Sequence, residues 1–178
     1  MIYGHQVALL ILLNGPPGAG KSTLAQRWVA EHPLALNLDL DQLWLALGSW
    51  REDPHATGLA ARELALAMAG AQLAADRSVI VPQYLGRPEF VDQLAELAGD
   101  RFRHLVLLPP LSVLSRRLEQ RPSHPVAELG LGHRGAGELT RLYDRLVRFA
   151  DETDATVITL AGNEDADCCY RLLTAALA

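Results

Sequence analysis

The stretch "LILLNGPPGAGKSTLAQ", residues 10–26, governs the reading of the whole chain. An apolar run ends at Asn14, and Gly15-Pro16-Pro17-Gly18-Ala19-Gly20-Lys21-Ser22 then fits GxxxxGK[ST] at every defined position. That pattern answers a physical demand. Glycines let successive backbone N–H groups curl around a phosphate, the lysine reaches the β- and γ-phosphates of a nucleotide, and the hydroxyl can ligate Mg²⁺. The flanks are the ones the mechanism requires, a buried strand before and a helix after, whose N-terminus adds partial positive charge. Gly15, Pro16, Pro17, Gly18, Ala19, Gly20, Lys21, Ser22 and Thr23 are the expected nucleotide-binding residues. Lys21 is the only lysine of a chain that otherwise carries its positive charge on fifteen arginines.

Outward from this loop, strands and helices alternate. The segments 7–13, 34–41, 78–85, 104–110 and 156–160 read as strands, with Pro82 marking where the third leaves the sheet. Helices are expected at 22–31, from Gln42 to Gly48, at about 58–75, 89–98, 111–121, 138–151 and 165–178, with a polar break at 51–57. On the helix at 138–151, Leu139, Leu142, Tyr143, Leu146 and Phe149 form the expected buried face. Residues 122–137, rich in Pro, Gly and His, lack a period and read as a mobile loop. Five strand–helix alternations imply an α/β fold, a five-stranded parallel sheet with helices on both faces.

Composition narrows the function. With 178 residues, 49% hydrophobic and 21% charged, one well-cored domain spanning 1–178 is expected. A net charge of −5 provides no global field for nucleic acid or an anionic membrane. Cys168 and Cys169 are adjacent and form no metal or disulfide pattern, which fits a reducing, cytoplasmic setting. The apolar run at 7–13 has no basic n-region and is too short for a membrane span.

The second strand carries the chemistry. In "NLDLDQLW", 37–44, strand periodicity puts Asp39 and Asp41 on one face at the C-terminal sheet edge, where open α/β sheets bind ligands. One carboxylate there can accept the proton of an attacking hydroxyl while another orients Mg²⁺ through its waters. Asp41 could equally cap the next helix.

A P-loop followed about twenty residues later by an acid resembles the small P-loop kinases: shikimate and gluconate kinases, chloramphenicol phosphotransferase, and the kinase domain of polynucleotide kinases. "DLDQLW" resembles the DxD stretch of shikimate kinases, which implies Asp39 for the magnesium shell and Asp41 as general base. The resemblance also implies a nucleoside-monophosphate-kinase-like fold, ATP as phosphate donor and Mg²⁺ as its ion. The third strand, "VIVPQYLGRPEF", departs from the pattern. It has no acid and no triple glycine, and is similar to "IVP" stretches of tunicamycin-resistance-type ATP-binding proteins.

Arg116, Arg117 and Arg121 lead into the Pro/Gly/His segment, with Arg134 inside it, and resemble a kinase lid at about 116–137. Arg117 and Arg121 are the expected catalytic arginines, since mobile cations closing over the moving phosphoryl group lower its barrier. "AGN", 161–163, stands where such kinases pass backbone along adenine. The acceptor pocket is expected from Asp41, Trp44, Gln83, Tyr84 and Arg87, with Trp50, Arg51 and His55 nearby. Polynucleotide kinases carry an arginine three residues after the catalytic acid, where this chain has Trp44, and an uncharged hydroxylated small molecule is the expected acceptor, an antibiotic or other secondary metabolite among them. The alternatives are an ATP-binding protein that sequesters its ligand with little transfer, and a 5′-hydroxyl kinase of nucleosides or polynucleotides. A GTPase switch is poorly served, because Lys21 being the only lysine rules out the guanine-reading NKxD motif.

Overall fold

The computed structural model describes residues 7–120 and 136–178. Its order is β1 (Leu10–Asn14), α1 (Lys21–Glu31), β2 (Leu36–Asn37), α2 (Leu40–Ala46), α3 (Pro54–Ala74), β3 (Val79–Gln83), α4 (Pro88–Ala98), β4 (Phe102–Leu108), α5 (Leu111–Glu119), α6 (Ala136–Glu152), β5 (Thr156–Thr159) and α7 (Ala166–Leu177). The five strands form one parallel sheet in the order β2-β3-β1-β4-β5, as the alternating pattern requires.

β1 is apolar from Leu10 to Leu13 because the sheet is covered on both faces. Leu10 and Leu12 point into a core shared with Ala65, Ala69 and Leu73 of α3, Phe90 and Leu94 of α4, and Leu146 and Phe149 of α6. Ile11 and Leu13 point into a second core with Leu24 and Trp28 of α1, Leu114 of α5, and Tyr170 and Leu173 of α7. Small residues repeat at every fourth position of α3 (Ala61, Ala65, Ala69), and all three are buried. Of the expected face of α6, Leu139, Leu146 and Phe149 are buried, while Leu142 and Tyr143 are half-buried.

Three expectations need correction. The second strand does not run to Asp41. Its last ladder bond is Leu38 N–H to the Ile80 carbonyl at 2.8 Å, after which the chain turns into α2. Asp39 is the cap of that helix, its Oδ1 accepting from the Asp41 N–H at 3.0 Å. The alternation of "LDLD" therefore lost to the local capping preference of aspartate.

The third strand does not leave the sheet at Pro82, which pairs with Leu13, and the strand continues to Gln83. The N–H of Val79 points to β1, donating to Leu9, so by alternation position 82 faces the β2 side. β2 pairs only with Val79 and Ile80, so the missing proline N–H falls where the outer neighbour has ended.

The polar break is shorter than 51–57, because Asp53 and Pro54 start α3 early. Asp53 accepts from the Ala56 N–H at 2.9 Å, and Pro54 occupies the first helical turn. Most of the expected lid, including Arg121 and Arg134, lies outside the described residues.

Candidate functional site

The phosphate loop leaves β1 at Asn14 and enters α1 at Lys21 at the C-terminal edge of the sheet. Gly18 and Gly20 have φ values of +83° and +94°, a left-handed backbone that glycine adopts without a Cβ penalty. A Cβ at Gly15 would meet the Leu107 carbonyl at 3.0 Å, so the loop lies directly against β4. Lys21 Nζ donates to the Gly15 carbonyl at 2.8 Å and to the Pro16 carbonyl at 3.1 Å, which places the ammonium across the loop. Ser22 and Thr23, in the first turn of α1, are exposed. Such a turned glycine loop with a cation at its mouth and a helix N-terminus behind it fits a nucleotide phosphate chain. Among the described residues no cluster of three His, Cys, Asp or Glu side chains could hold a metal ion.

Asn14 is fully buried, and sequence reasoning overlooked it. Its Oδ1 accepts from the N–H groups of Gly15 at 2.8 Å and Leu85 at 3.0 Å. Its Nδ2 donates to the Leu85 carbonyl at 2.8 Å and lies 3.2 Å from Nε2 of His104 on β4. Those partners settle two assignments. Two backbone donors identify Oδ1, so the amide nitrogen must donate to His104, whose Nε2 is then the bare acceptor and Nδ1 the protonated nitrogen. The only sequence signal was a polar residue closing an apolar run.

His104 is buried beside the rings of Phe102 and Phe149. Burial lowers its pKa from 6.5 to about 4. Unfolded His104 therefore takes up its proton at a higher pH than the folded side chain does. Stability falls as pH drops below 6.5 and levels off near 4, by on the order of 3 kcal/mol from this residue. Chemical denaturation at pH 7 and pH 4 measures the loss, and His104→Gln is expected to remove that share of it.

Asp39 and Asp41 both stand at the entry to α2, but not on one strand face. As cap and second residue of a helix they are separated by about 200° around its axis. Both are half-buried. Trp44, one turn further along α2, lies against α3, since a Cβ at Gly58 would sit 3.2 Å from its ring. The Trp44 Nε1 is buried without a hydrogen-bond partner.

At the β3 exit the expected acceptor residues diverge. Gln83 pairs in register with Asn14, which brings it beside the phosphate loop. The Tyr84 hydroxyl turns away to donate to the Leu142 carbonyl of α6 at 3.2 Å, and burial raises its pKa. Arg87 stands at the N-cap position of α4 without a side-chain cap bond and is exposed, as is His55. The Arg51 guanidinium stacks 3.9 Å above the ring of Trp50.

On the opposite side, Arg117 of α5 donates to the Gly18 carbonyl at 3.3 Å, which attaches the arginine helix to the phosphate loop, whereas Arg116 is exposed. The segment 161–163 is held by Glu164, whose carboxylate accepts from the N–H of Ala161 at 2.5 Å and of Gly162 at 2.7 Å. Those bonds lower the Glu164 pKa, and the charge of Arg117 adds to the effect. Gly162 has φ +94°, and a Cβ there would lie 2.5 Å from Val113 Cγ2. Gly162→Ala is expected to cost about 2 kcal/mol and to lower Tm by about 4–8 °C, read by thermal unfolding.

A family profile for an AAA domain matches residues 10–130. The chain belongs to this family. No curated protein matches its sequence. Among solved structures, this AAA domain is similar to a gluconokinase from Sinorhizobium meliloti, at 20% identity, TM-score 0.64, over 96% of this chain and 91% of that one. It is similar to a sugar kinase from Janibacter sp. at 18% identity, TM-score 0.66, over 96% and 94% of the two chains. It is also similar to the tunicamycin resistance protein of Deinococcus radiodurans, at 20% identity, TM-score 0.61, over 94% and 95%. At these identities the likeness concerns the fold, which is that of the P-loop kinases. Among the described residues of this AAA domain, no helix is long and apolar enough to cross a membrane.

Proposed function

We propose that this protein is an ATP-dependent phosphotransferase that moves the γ-phosphate to a hydroxyl group of a small molecule. The observation that carries the reading is a GxxxxGK[ST] loop with Lys21 across its mouth, at the same sheet edge where Asp41 opens α2. In this reading the backbone from Gly15 to Gly20, with Lys21, Ser22 and Thr23, holds the phosphates. Asp41 takes the proton of the acceptor hydroxyl as its oxygen attacks phosphorus, and the bond to the β-phosphate oxygen breaks to leave ADP. Lys21 and Arg117 hold the charge that spreads over the phosphoryl group. Magnesium supplies further charge neutralisation when bound, with Ser22 as ligand and Asp39 ordering its water. Trp44, Gln83 and Arg87 line the acceptor side, and Tyr84 contributes its ring while its hydroxyl serves α6. An antibiotic or other secondary metabolite is the favoured acceptor.

The test is incubation with Mg²⁺, ATP and a panel of hydroxylated metabolites and antibiotics, read by mass spectrometry. One added phosphate on a panel member is the expected result. A second reading, a protein that binds ATP and sequesters its ligand, is favoured by β3 ending in Gln83 where an acid would complete a magnesium shell. Stabilisation by ATP together with a panel compound, without product, would favour that reading over transfer.

A further inference from the structure

The donor loop and the acceptor-side loop are joined by one side chain. β1 and β3 pair from Leu10↔Val79 to Asn14↔Gln83, and beyond that the backbones part, one into the phosphate loop and the other toward Leu85. The Asn14 carboxamide bridges the gap. It bonds both the N–H and the carbonyl of Leu85, as a peptide group would, and adds one rung to the ladder. The same Oδ1 holds the N–H of Gly15, the first peptide of the phosphate loop. His104 accepts the remaining amide hydrogen and so fixes which way the carboxamide faces. All four bonds are between 2.8 and 3.2 Å, and Asn14 is inaccessible to solvent.

We propose that Asn14, oriented by His104, is a positioning residue that sets the phosphate loop relative to the β3 exit, and thereby the donor phosphate relative to the acceptor. The inference rests on the phosphotransferase reading for its catalytic consequence, and on the hydrogen bonds alone for the mechanical one. Asn14 touches neither reactant. It acts through Gly15 on one side and Leu85 on the other. Because the Gly15 N–H and both Leu85 groups are directional donors and acceptors, losing the carboxamide frees the two segments together. A displacement of about 1 Å between reacting groups suffices to cost about 10²-fold in rate.

The test has two independent readouts on the full chain: wild type, Asn14→Ala, His104→Leu and His104→Gln. Glutamine at 104 keeps an acceptor where Nε2 stood, so it is the rescue variant for His104→Leu. Amide hydrogen exchange should show Gly15 and Leu85 losing protection together in Asn14→Ala, in part in His104→Leu, and not in His104→Gln. Kinetics with MgATP and a hydroxylated panel compound that wild type phosphorylates should show kcat lower by about 10²-fold in Asn14→Ala, with the MgATP Kd within about fivefold of wild type. A structural role alone would lower Tm and leave kcat of the folded fraction unchanged.

Retained protection at Gly15 in Asn14→Ala overturns the proposal, and so does unchanged kcat. A wild type that neither binds MgATP nor phosphorylates any panel compound would sink the phosphotransferase reading instead. The exchange data would still decide whether Asn14 couples the two loops.

Discussion

Lys21→Met is expected to lower phosphotransfer by about 10³-fold while leaving the fold intact. Methionine matches most of the aliphatic stem but removes the ammonium, which bonds two carbonyls of the phosphate loop, those of Gly15 and Pro16. An interaction that strengthens as charge moves onto the transferred group affects kcat more than nucleotide affinity. Steady-state kinetics beside calorimetric titration with MgATP separate the two. Unchanged kcat would remove Lys21 from the mechanism.

On the proposed mechanism, the same geometry accounts for a lysine here in an arginine-rich chain. A compact ammonium with three rotatable donors can bond two converging carbonyls and still turn to a phosphate, whereas a planar guanidinium is bulkier and fixed in its fork. Lys21→Arg should therefore fail nearly as badly as Lys21→Met.

Asp41→Asn is expected to have the second large effect, a loss of about 10²–10⁴-fold in kcat with MgATP affinity unchanged. Asparagine keeps the size and removes the carboxylate that the proposed mechanism uses as proton acceptor. The experiment is informative because Asp39, two residues earlier, has a separable structural duty. Asp39→Asn retains an N-cap acceptor for the Asp41 N–H, so it tests charge alone, whereas Asp39→Ala also loses a cap worth about 1 kcal/mol. Full turnover by Asp41→Asn on an accepted substrate would transfer the base role to another group.

The parallel sheet was legible because its cause is local and repeated. β1, β3 and most of β4 carry apolar runs, and α6 an apolar stripe at the helical period, so the alternation of strands and helices was readable without knowing any contact. The phosphate loop was legible for a related reason, since its glycines answer backbone angles that are properties of single residues. The end of β2 was misread, because "LDLD" satisfies a strand period and a helix cap equally, and only the short pairing with β3 breaks the tie. Tyr84 was expected at the acceptor, but its hydroxyl is bound by α6, an element 58 residues further along the chain.

The sequence by itself determined the layered α/β architecture, the phosphate loop with its lysine, and the acids that follow it, because periodicity and backbone conformation act over a few neighbouring residues. Only the tertiary structure decided that Asn14 joins Gly15, Leu85 and His104, that Arg117 reaches Gly18, and that Gly162 packs against Val113. Those partners are as many as 99 residues apart. Hydrogen bonds and close packing depend on distance and direction in space, and no pattern along the chain encodes either.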